Sequence, residues 1–172
     1  MATKIIKTFV CLFCTLYGVS TRAYDFQSGG IYYNILSQEE RTCEVAPEYE
    51  GGSSYSGYIF IPEQASYGWS SEYTVVAIGN AAFSGCQLDG ISIPSTIKHI
   101  GDNSFFGCKG LSSLVLPQEV EYIGDYAFYD SDFGGSLTIP SSCKYVGSSA
   151  FFETNITDLT FEMIYSVNFN YL

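Results

Sequence analysis

The sequence predicts a β-rich α/β solenoid, a stack of units of about 23 residues that each supply a short parallel strand and a one-turn helix. Three recurring columns of residues predict this stack. A proline closes each Ile/Leu-x-Ile/Leu-Pro tetrad, a glycine follows Ile or Val, and a phenylalanine stands four residues after that glycine. The columns are Pro94, Pro117 and Pro140; Gly79, Gly101, Gly124 and Gly147; and Phe83, Phe105, Phe128 and Phe151. A fixed period of roughly 20 to 50 residues is typical of solenoids.

Each tetrad has the period of a short strand with one buried face. The segments ISIP (91–94), LVLP (114–117) and LTIP (137–140) place two branched apolar residues around one outward residue. Proline then ends the strand, because it has no N–H group to donate to a neighbouring strand. A second inward pair follows in each unit, namely Ile97 with Ile100, Val120 with Ile123, and Cys143 with Val146.

The segment after each recurring glycine is predicted to form the single helical turn. The next residue is Asn80, Asp102, Asp125 or Ser148, and all four residue types are preferred at helix N-caps. The phenylalanine then fills the layer. One unit buries five large apolar side chains at about 2 kcal/mol each, which does not offset about 1.5 kcal/mol per residue of ordering cost. Units must therefore stack, and the four phenylalanines should form one interior row.

The first 23 residues have the pattern of a secretory signal peptide. Lys4 and Lys7 precede an uncharged apolar stretch from Phe9 to Val19, and Ala23 supplies a small residue for cleavage. No later window is apolar enough to span a bilayer, so we expect no membrane insertion after the leader is removed. Residues 24–172 carry all 18 acidic residues and only four basic ones, and such a chain is a poor partner for nucleic acid.

The repeat units resemble a known family. IPSTIKHIGDNSFFGC (93–108) and LPQEVEYIGDYAFYD (116–130) are similar to the BspA-type leucine-rich repeat. YDFQSGGIYYNIL (24–36), YIFIP (58–62) and YTVVAIGNAAFSGC (73–86) resemble the lead-in before such repeats in secreted proteins of Bacteroidetes. The resemblance implies a parallel-stranded leucine-rich-repeat stack at the cell surface or outside the cell, and some members of the family adhere to host proteins.

These patterns divide the chain into four parts. Residues 1–23 are the signal peptide, and residues 24–75 form an N-terminal β cap with a divergent first repeat. That repeat carries an insertion around residues 66–72, including Trp69, which we interpret as a hairpin. Residues 76–161 are the repeats, and residues 162–172 either cap the open end or mark a truncated array.

Two sets of side chains recur in register without forming a catalytic arrangement. His99 is the only histidine and shares a column with Tyr122 and Tyr145, which favours a packed or surface ring over a catalytic base. Lys98, Glu121 and Lys144 alternate in sign at the same period and predict ion pairs between neighbouring strands. No spacing of cysteine and histidine suits zinc and no glycine-rich loop suits a phosphate, so we expect no catalytic residue, cofactor or metal.

Two cysteines are candidates for a disulfide. Cys86 and Cys108 occupy the same place in adjacent units, about one strand spacing apart, and export would permit their oxidation. A pair of buried reduced thiols is the alternative, and we favour it because buried free cysteine behaves as a small hydrophobe.

The outward column of the strands is the candidate ligand-binding face. Its residues are Phe60, Ser92, Val115, Thr138 and Thr160. A stripe of small and apolar residues on an extended face suits a protein or glycan ligand, but a solvated parallel ladder has the same pattern. The leading hypothesis is a non-catalytic, secreted or cell-surface protein that adheres to a host protein or glycan. The alternatives are a structural spacer or fragment of a larger surface assembly and, more remotely, an enzyme built on a solenoid scaffold.

Overall fold

The computed structural model describes residues 23–162, so the predicted leader, apart from Ala23, and the segment after residue 162 lie outside the described residues. The described chain forms short strands joined by turns. These are β1 (Phe26–Ser28), β2 (Ile31–Ser37), β3 (Thr42–Val45), β4 (Ser56–Phe60), β5 (Gln64–Tyr67), β6 (Ser71–Ile78), β7 (Gln87–Ser92), β8 (His99–Ile100), β9 (Tyr122–Ile123), β10 (Gly134–Ile139), β11 (Tyr145–Val146) and β12 (Asn155–Phe161).

The largest sheet runs along the stack in the order β1-β2-β3-β6-β8-β9-β11, and β5 also pairs with β6. Antiparallel pairs join β1 to β2 and β2 to β3 at the N-terminal end. The β5–β6 hairpin is antiparallel as well, whereas the pairs β3–β6, β6–β8, β8–β9 and β9–β11 are parallel, with one strand from each repeat. The inward residue of each strand is Ile78, Ile100, Ile123 or Val146, and these four lie in register across the sheet. The predicted stack of parallel strands is therefore confirmed.

The tetrads form a second side of the stack, but they do so in two separate parallel pairs, β4–β7 and β10–β12. The strand predicted for LVLP (114–117) is not found, although Leu114 and Leu116 are still buried. Backbone bonds to both neighbouring repeats continue just before this segment, because the Leu88 N–H donates to the Lys109 carbonyl at 2.8 Å and the Gly134 N–H donates to the Ser112 carbonyl at 3.4 Å. The Gly110 N–H donates to the Asp132 carboxylate at 3.2 Å, so it does not bond a neighbouring strand.

The segments after the recurring glycines are chains of tight turns, so the one-turn helices are not confirmed. Ala81, Asn103, Tyr126 and Ser149 have left-handed backbones with φ between 52° and 55°, which an α-helix does not accommodate. Alternate amides bond within the turn, as Ala82 N–H does to the Gly79 carbonyl at 3.3 Å. The other amides donate to the next repeat. In a helical turn the amides would donate hydrogen bonds within one repeat. In these turns every second amide donates to the next repeat and so holds the stack together.

The four recurring phenylalanines form the predicted interior row. Ring centroids are 5.1 Å apart from Phe83 to Phe105, 5.0 Å from Phe105 to Phe128, and 5.3 Å from Phe128 to Phe151, and each pair is stacked. The first three rings are fully buried, and Phe151 at the C-terminal end of the row is partly exposed. Backbone bonds follow the same row, because Phe83 N–H donates to the Ser104 carbonyl at 2.7 Å.

Candidate ligand-binding face

The structure divides the predicted outward column between the two strand pairs. Phe60 lies opposite Ser92 in β4–β7, and Thr138 lies opposite Thr160 in β10–β12. Val115 lies on the irregular segment between the two pairs. Phe60 is 67% exposed and Val115 is 84% exposed, whereas Ser92 is half-buried. Two large apolar side chains of this column, Phe60 and Val115, are therefore exposed to solvent.

A groove at the N-terminal end of this face was not predicted. It has a volume of about 600 Å³ and lies between the β1–β2 turn and β4, lined among others by Gly29, Gly30, Tyr58, Phe60 and Pro62. The Tyr58 side chain is 68% exposed, and its ring lies over Gly90 so closely that a Cβ there would be 2.7 Å from a ring carbon. The alternation in YIF (58–60) puts both aromatic rings on one face, and this was the available sequence signal.

The predicted N-cap residues bond between repeats instead of within one. Asn80 Oδ1 accepts the Asp102 N–H at 2.9 Å, Asp102 Oδ1 accepts the Asp125 N–H at 2.9 Å, and Asp125 Oδ1 accepts the Ser148 N–H at 2.8 Å. The side-chain oxygens therefore satisfy backbone donors as expected, but one repeat further along. The recurring acidic residues of this column are parts of the stack.

A second row of stacked rings lies on the large sheet. The His99 ring stacks on Tyr122 at 4.1 Å, and Tyr122 stacks on Tyr145 at 4.7 Å. Burial lowers the pKa of His99, although the nearby Asp102 opposes this effect. Tyr145 also donates its hydroxyl to Asp125 Oδ1 at 3.3 Å. His99 is therefore a member of a stacked column, as its spacing predicted.

The predicted charge ladder is present in part. The Lys144 ammonium forms an ion pair with Glu121 Oε2, and this contact, together with the charges of Lys144 and Lys98, lowers the pKa of Glu121. A second ion pair was not predicted: Lys109 Nζ lies 3.0 Å from Asp130 Oδ1 and 3.3 Å from Asp132 Oδ1. Both lysines join neighbouring repeats on exposed surface, where solvent weakens such ion pairs.

The two candidate disulfide cysteines are buried free thiols in the structure. Burial raises the pKa of Cys86 to about 11 and the pKa of Cys108 to about 12. The Cys86 thiol also donates to the Ser53 carbonyl at 3.4 Å. Cys43 and Cys143 are buried free thiols as well.

Within residues 23–162, no group of three or more His, Cys, Asp and Glu side chains is placed to hold a metal ion. The same part of the chain contains no helix with the length and apolar character needed to cross a membrane.

Known proteins share this architecture. The model of the BspA type leucine-rich repeat region matches residues 69–171 in six copies. A leucine-rich repeat protein from Bacteroides capillosus is 26% identical with a TM-score of 0.67, and the alignment covers 80% of this chain and 98% of that protein. One from Bacteroides ovatus is 28% identical with a TM-score of 0.51, and the alignment covers 80% of this chain but only 41% of that protein.

The pneumococcal vaccine antigen PcpA shares the fold at 24% identity with a TM-score of 0.61, and the alignment covers 83% of this chain and 39% of the antigen. None of the curated proteins matches the chain.

Proposed function

Because this chain belongs to the BspA-type leucine-rich repeat family, as the match over residues 69–171 shows, we propose that it is a secreted or cell-surface binding protein without catalytic activity. The ligand is a host protein or a glycan, held on the outward strand face that contains Phe60, Val115 and Thr138. The family assignment confirms the resemblance seen in the repeat motifs. The site and the ligand class are our proposal.

One observation carries this proposal: large apolar side chains on the strand side are exposed and are not buried in the core. Val115 is 84% exposed, Phe60 is 67% exposed and Tyr58 is 68% exposed, all on the strand side of the stack. Exposed apolar surface costs free energy in water, and contiguous patches of it mark binding surfaces. The charge-poor leader-like segment of residues 9–19 supports export, which would bring this face to an extracellular ligand.

The roles of the acidic residues support a non-catalytic protein. Asp102 and Asp125 each hold the backbone of the following repeat, and Asp132 holds the Gly110 N–H at 3.2 Å and the Lys109 ammonium at 3.3 Å. The backbone N–H and the lysine keep the pKa of Asp132 below its usual value, the backbone bond having the larger effect. Carboxylates used in this way stabilise repeats and are not poised as acids or bases.

The test is a binding screen of the full chain against immobilised host matrix proteins and a glycan array. We expect at least one ligand, and we expect the double variant Phe60→Ala/Val115→Ala to weaken its binding by tenfold or more. Lys98→Ala is the matched control, because Lys98 is exposed beside the strands of the other sheet. Uniform absence of binding, or equal loss in the control, contradicts the proposal.

A spacer or a piece of a larger surface assembly is the second candidate, and the C-terminal end of the described stack favours it. Phe152 is 56% exposed there, beside a hollow of about 330 Å³ lined among others by Phe151, Ile156 and Leu159. The end of a repeat stack normally receives another layer or a polar cap. Further repeats encoded after residue 172 in the native gene, together with an unbroken stack in the longer protein, would support this role.

A further inference from the structure

We propose that the groove beside β4 binds an extended basic peptide segment of a partner protein, which joins the free edge of β4 as an additional strand. This inference rests on the proposed binding function and specifies the class of partner. It requires three features of the groove: unpaired main-chain groups, side chains that hold an extended chain, and a charge that selects the ligand.

The free edge follows from the pairing of β4. Among the described strands, β4 is bonded only to β7. The Ile61 N–H donates to the Ser92 carbonyl at 3.0 Å, and Ile59 lies opposite Ile91 in the same register. In a parallel strand, the N–H and C=O groups of one residue point to one edge and those of the next residue point to the opposite edge. Ile59 and Ile61 bond to β7 in this way. The main-chain groups of Tyr58 and Phe60 therefore face away from β7 and towards the groove.

The groove has the shape that an added strand needs. Tyr58 and Phe60 are two residues apart, so their exposed side chains project from the same face of β4, and the Tyr58 ring lies over Gly90 of β7. Gly29 and Gly30 form the opposite wall, and a Cβ placed on either glycine would meet no atom within 4 Å. That wall is thus open backbone. Strand addition of this kind draws affinity from main-chain bonds and selectivity from alternate side chains.

The charge around the groove favours a basic partner. The groove lining itself is uncharged. In residues 24–67 the acidic side chains are Asp25, Glu39, Glu40, Glu44, Glu48, Glu50 and Glu63, and Arg41 is the one basic residue. Arg41 lines a different hollow beside Trp69, at the tip of the β5–β6 hairpin. Asp89, on the neighbouring strand β7, is also exposed. Glu48 accepts the Ser54 N–H at 3.3 Å, next to Tyr55 of the lining, and Glu63 follows Pro62 of the lining. These carboxylates and Asp89 would attract lysine and arginine residues that flank the bound strand.

The experiment uses the full chain and a fluorescent hexapeptide of alternating lysine and valine, with capped ends. We expect binding by fluorescence anisotropy, at least tenfold weaker when glutamate replaces lysine and at least tenfold weaker when alternate peptide amides are N-methylated. Binding of the lysine peptide should also weaken with rising salt concentration. Equal binding of the glutamate and lysine peptides would overturn the charge argument.

Amide hydrogen exchange measured by NMR tests the geometry directly. The Tyr58 and Phe60 amides should exchange rapidly in the free protein and at least tenfold more slowly at peptide saturation. The Ile59 and Ile61 amides already face β7, so they should change little. Peptide binding without protection at Tyr58 and Phe60 would overturn the proposal.

A pair of variants separates the main chain from the side chain. Phe60→Ala removes the ring alone, whereas Phe60→Pro removes the ring and an outward N–H, a loss that an edge strand tolerates, so Phe60→Pro should weaken binding more. Phe152→Ala, which removes an exposed ring at the other end of the stack, is the control and should bind normally. A ligand from the screen that is lost in the Phe60→Ala/Val115→Ala variant, but that leaves the Tyr58 and Phe60 amides unprotected, would refute strand addition while the proposed function stands.

Discussion

Removal of one ring from the phenylalanine row gives the most direct test of the stack. Phe105 is fully buried and stacks on two rings, at 5.1 Å and 5.0 Å. Burial of the ring contributes about 1.5–3 kcal/mol, and each stacked pair adds about 0.5–1.5 kcal/mol. We therefore expect Phe105→Ala to lower the free energy of unfolding by about 3–5 kcal/mol, within the range for Phe→Ala in well-packed cores.

The end of the row provides the matched variant. Phe151 is partly exposed and stacks on one ring of the row, Phe128, at 5.3 Å. We expect Phe151→Ala to cost roughly half as much as Phe105→Ala, about 1.5–2.5 kcal/mol, since one stacked pair and part of the burial are absent. Val115→Ala, at an 84% exposed position, should change stability by less than about 0.5 kcal/mol.

Urea unfolding followed by far-UV circular dichroism measures all three variants, with the slope of free energy against urea checked for constancy. The order Phe105→Ala, Phe151→Ala, Val115→Ala is the essential result. A Phe105→Ala variant that loses no more stability than Phe151→Ala would refute the claim that stacking between layers holds the core.

Three further predictions follow from the contacts between repeats. Gly124→Ala should destabilise the fold by at least about 1–3 kcal/mol in urea unfolding, because its Cβ would lie 2.4 Å from Asp102 Oδ1 and 2.6 Å from the Asp102 nitrogen; a neutral result would contradict the close approach. Asp102→Ala should cost about 1 kcal/mol by the same assay and Asp102→Asn less, since asparagine still offers an oxygen to the Asp125 N–H; equal losses would argue against the ladder. Cys86 and Cys108 should resist alkylation in the native protein and react after unfolding, as mapped by mass spectrometry, and recovery of the two as a cross-linked pair would contradict the free-thiol structure. Their thiols ionise near pH 9 when unfolded but near pH 11 and 12 when folded, so stability should be full below pH 9 and fall as the pH rises towards those values.

Sequence reasoning succeeded where one physical cause acts on every repeat. The columns of Phe105, Ile100 and Gly124 recur because each layer must bury the same face against the next, and a column read from the sequence therefore corresponds to a row in space. The same logic predicted the stacked place of His99 and the ion pair between Lys144 and Glu121.

Sequence reasoning failed where a local preference competes with bonds to a neighbouring layer. Asn, Asp and Ser after glycine favour a helix N-cap locally, yet the structure places Ala81 and Tyr126 in left-handed turns so that alternate amides reach the next repeat. The LVLP segment has the period of a strand and buries Leu114 and Leu116, but it pairs with neither β7 nor β10 as a strand.

The sequence by itself determined the repeat, its period, the buried columns and the family, since these depend on which side chains must leave water. Only the tertiary structure decided how the backbone amides are shared between layers and where the strand side divides. It also decided that the β1–β2 turn leaves a groove beside Tyr58 and Phe60. Those features depend on hydrogen bonds and close approaches between segments far apart in the chain, which a periodic pattern does not encode.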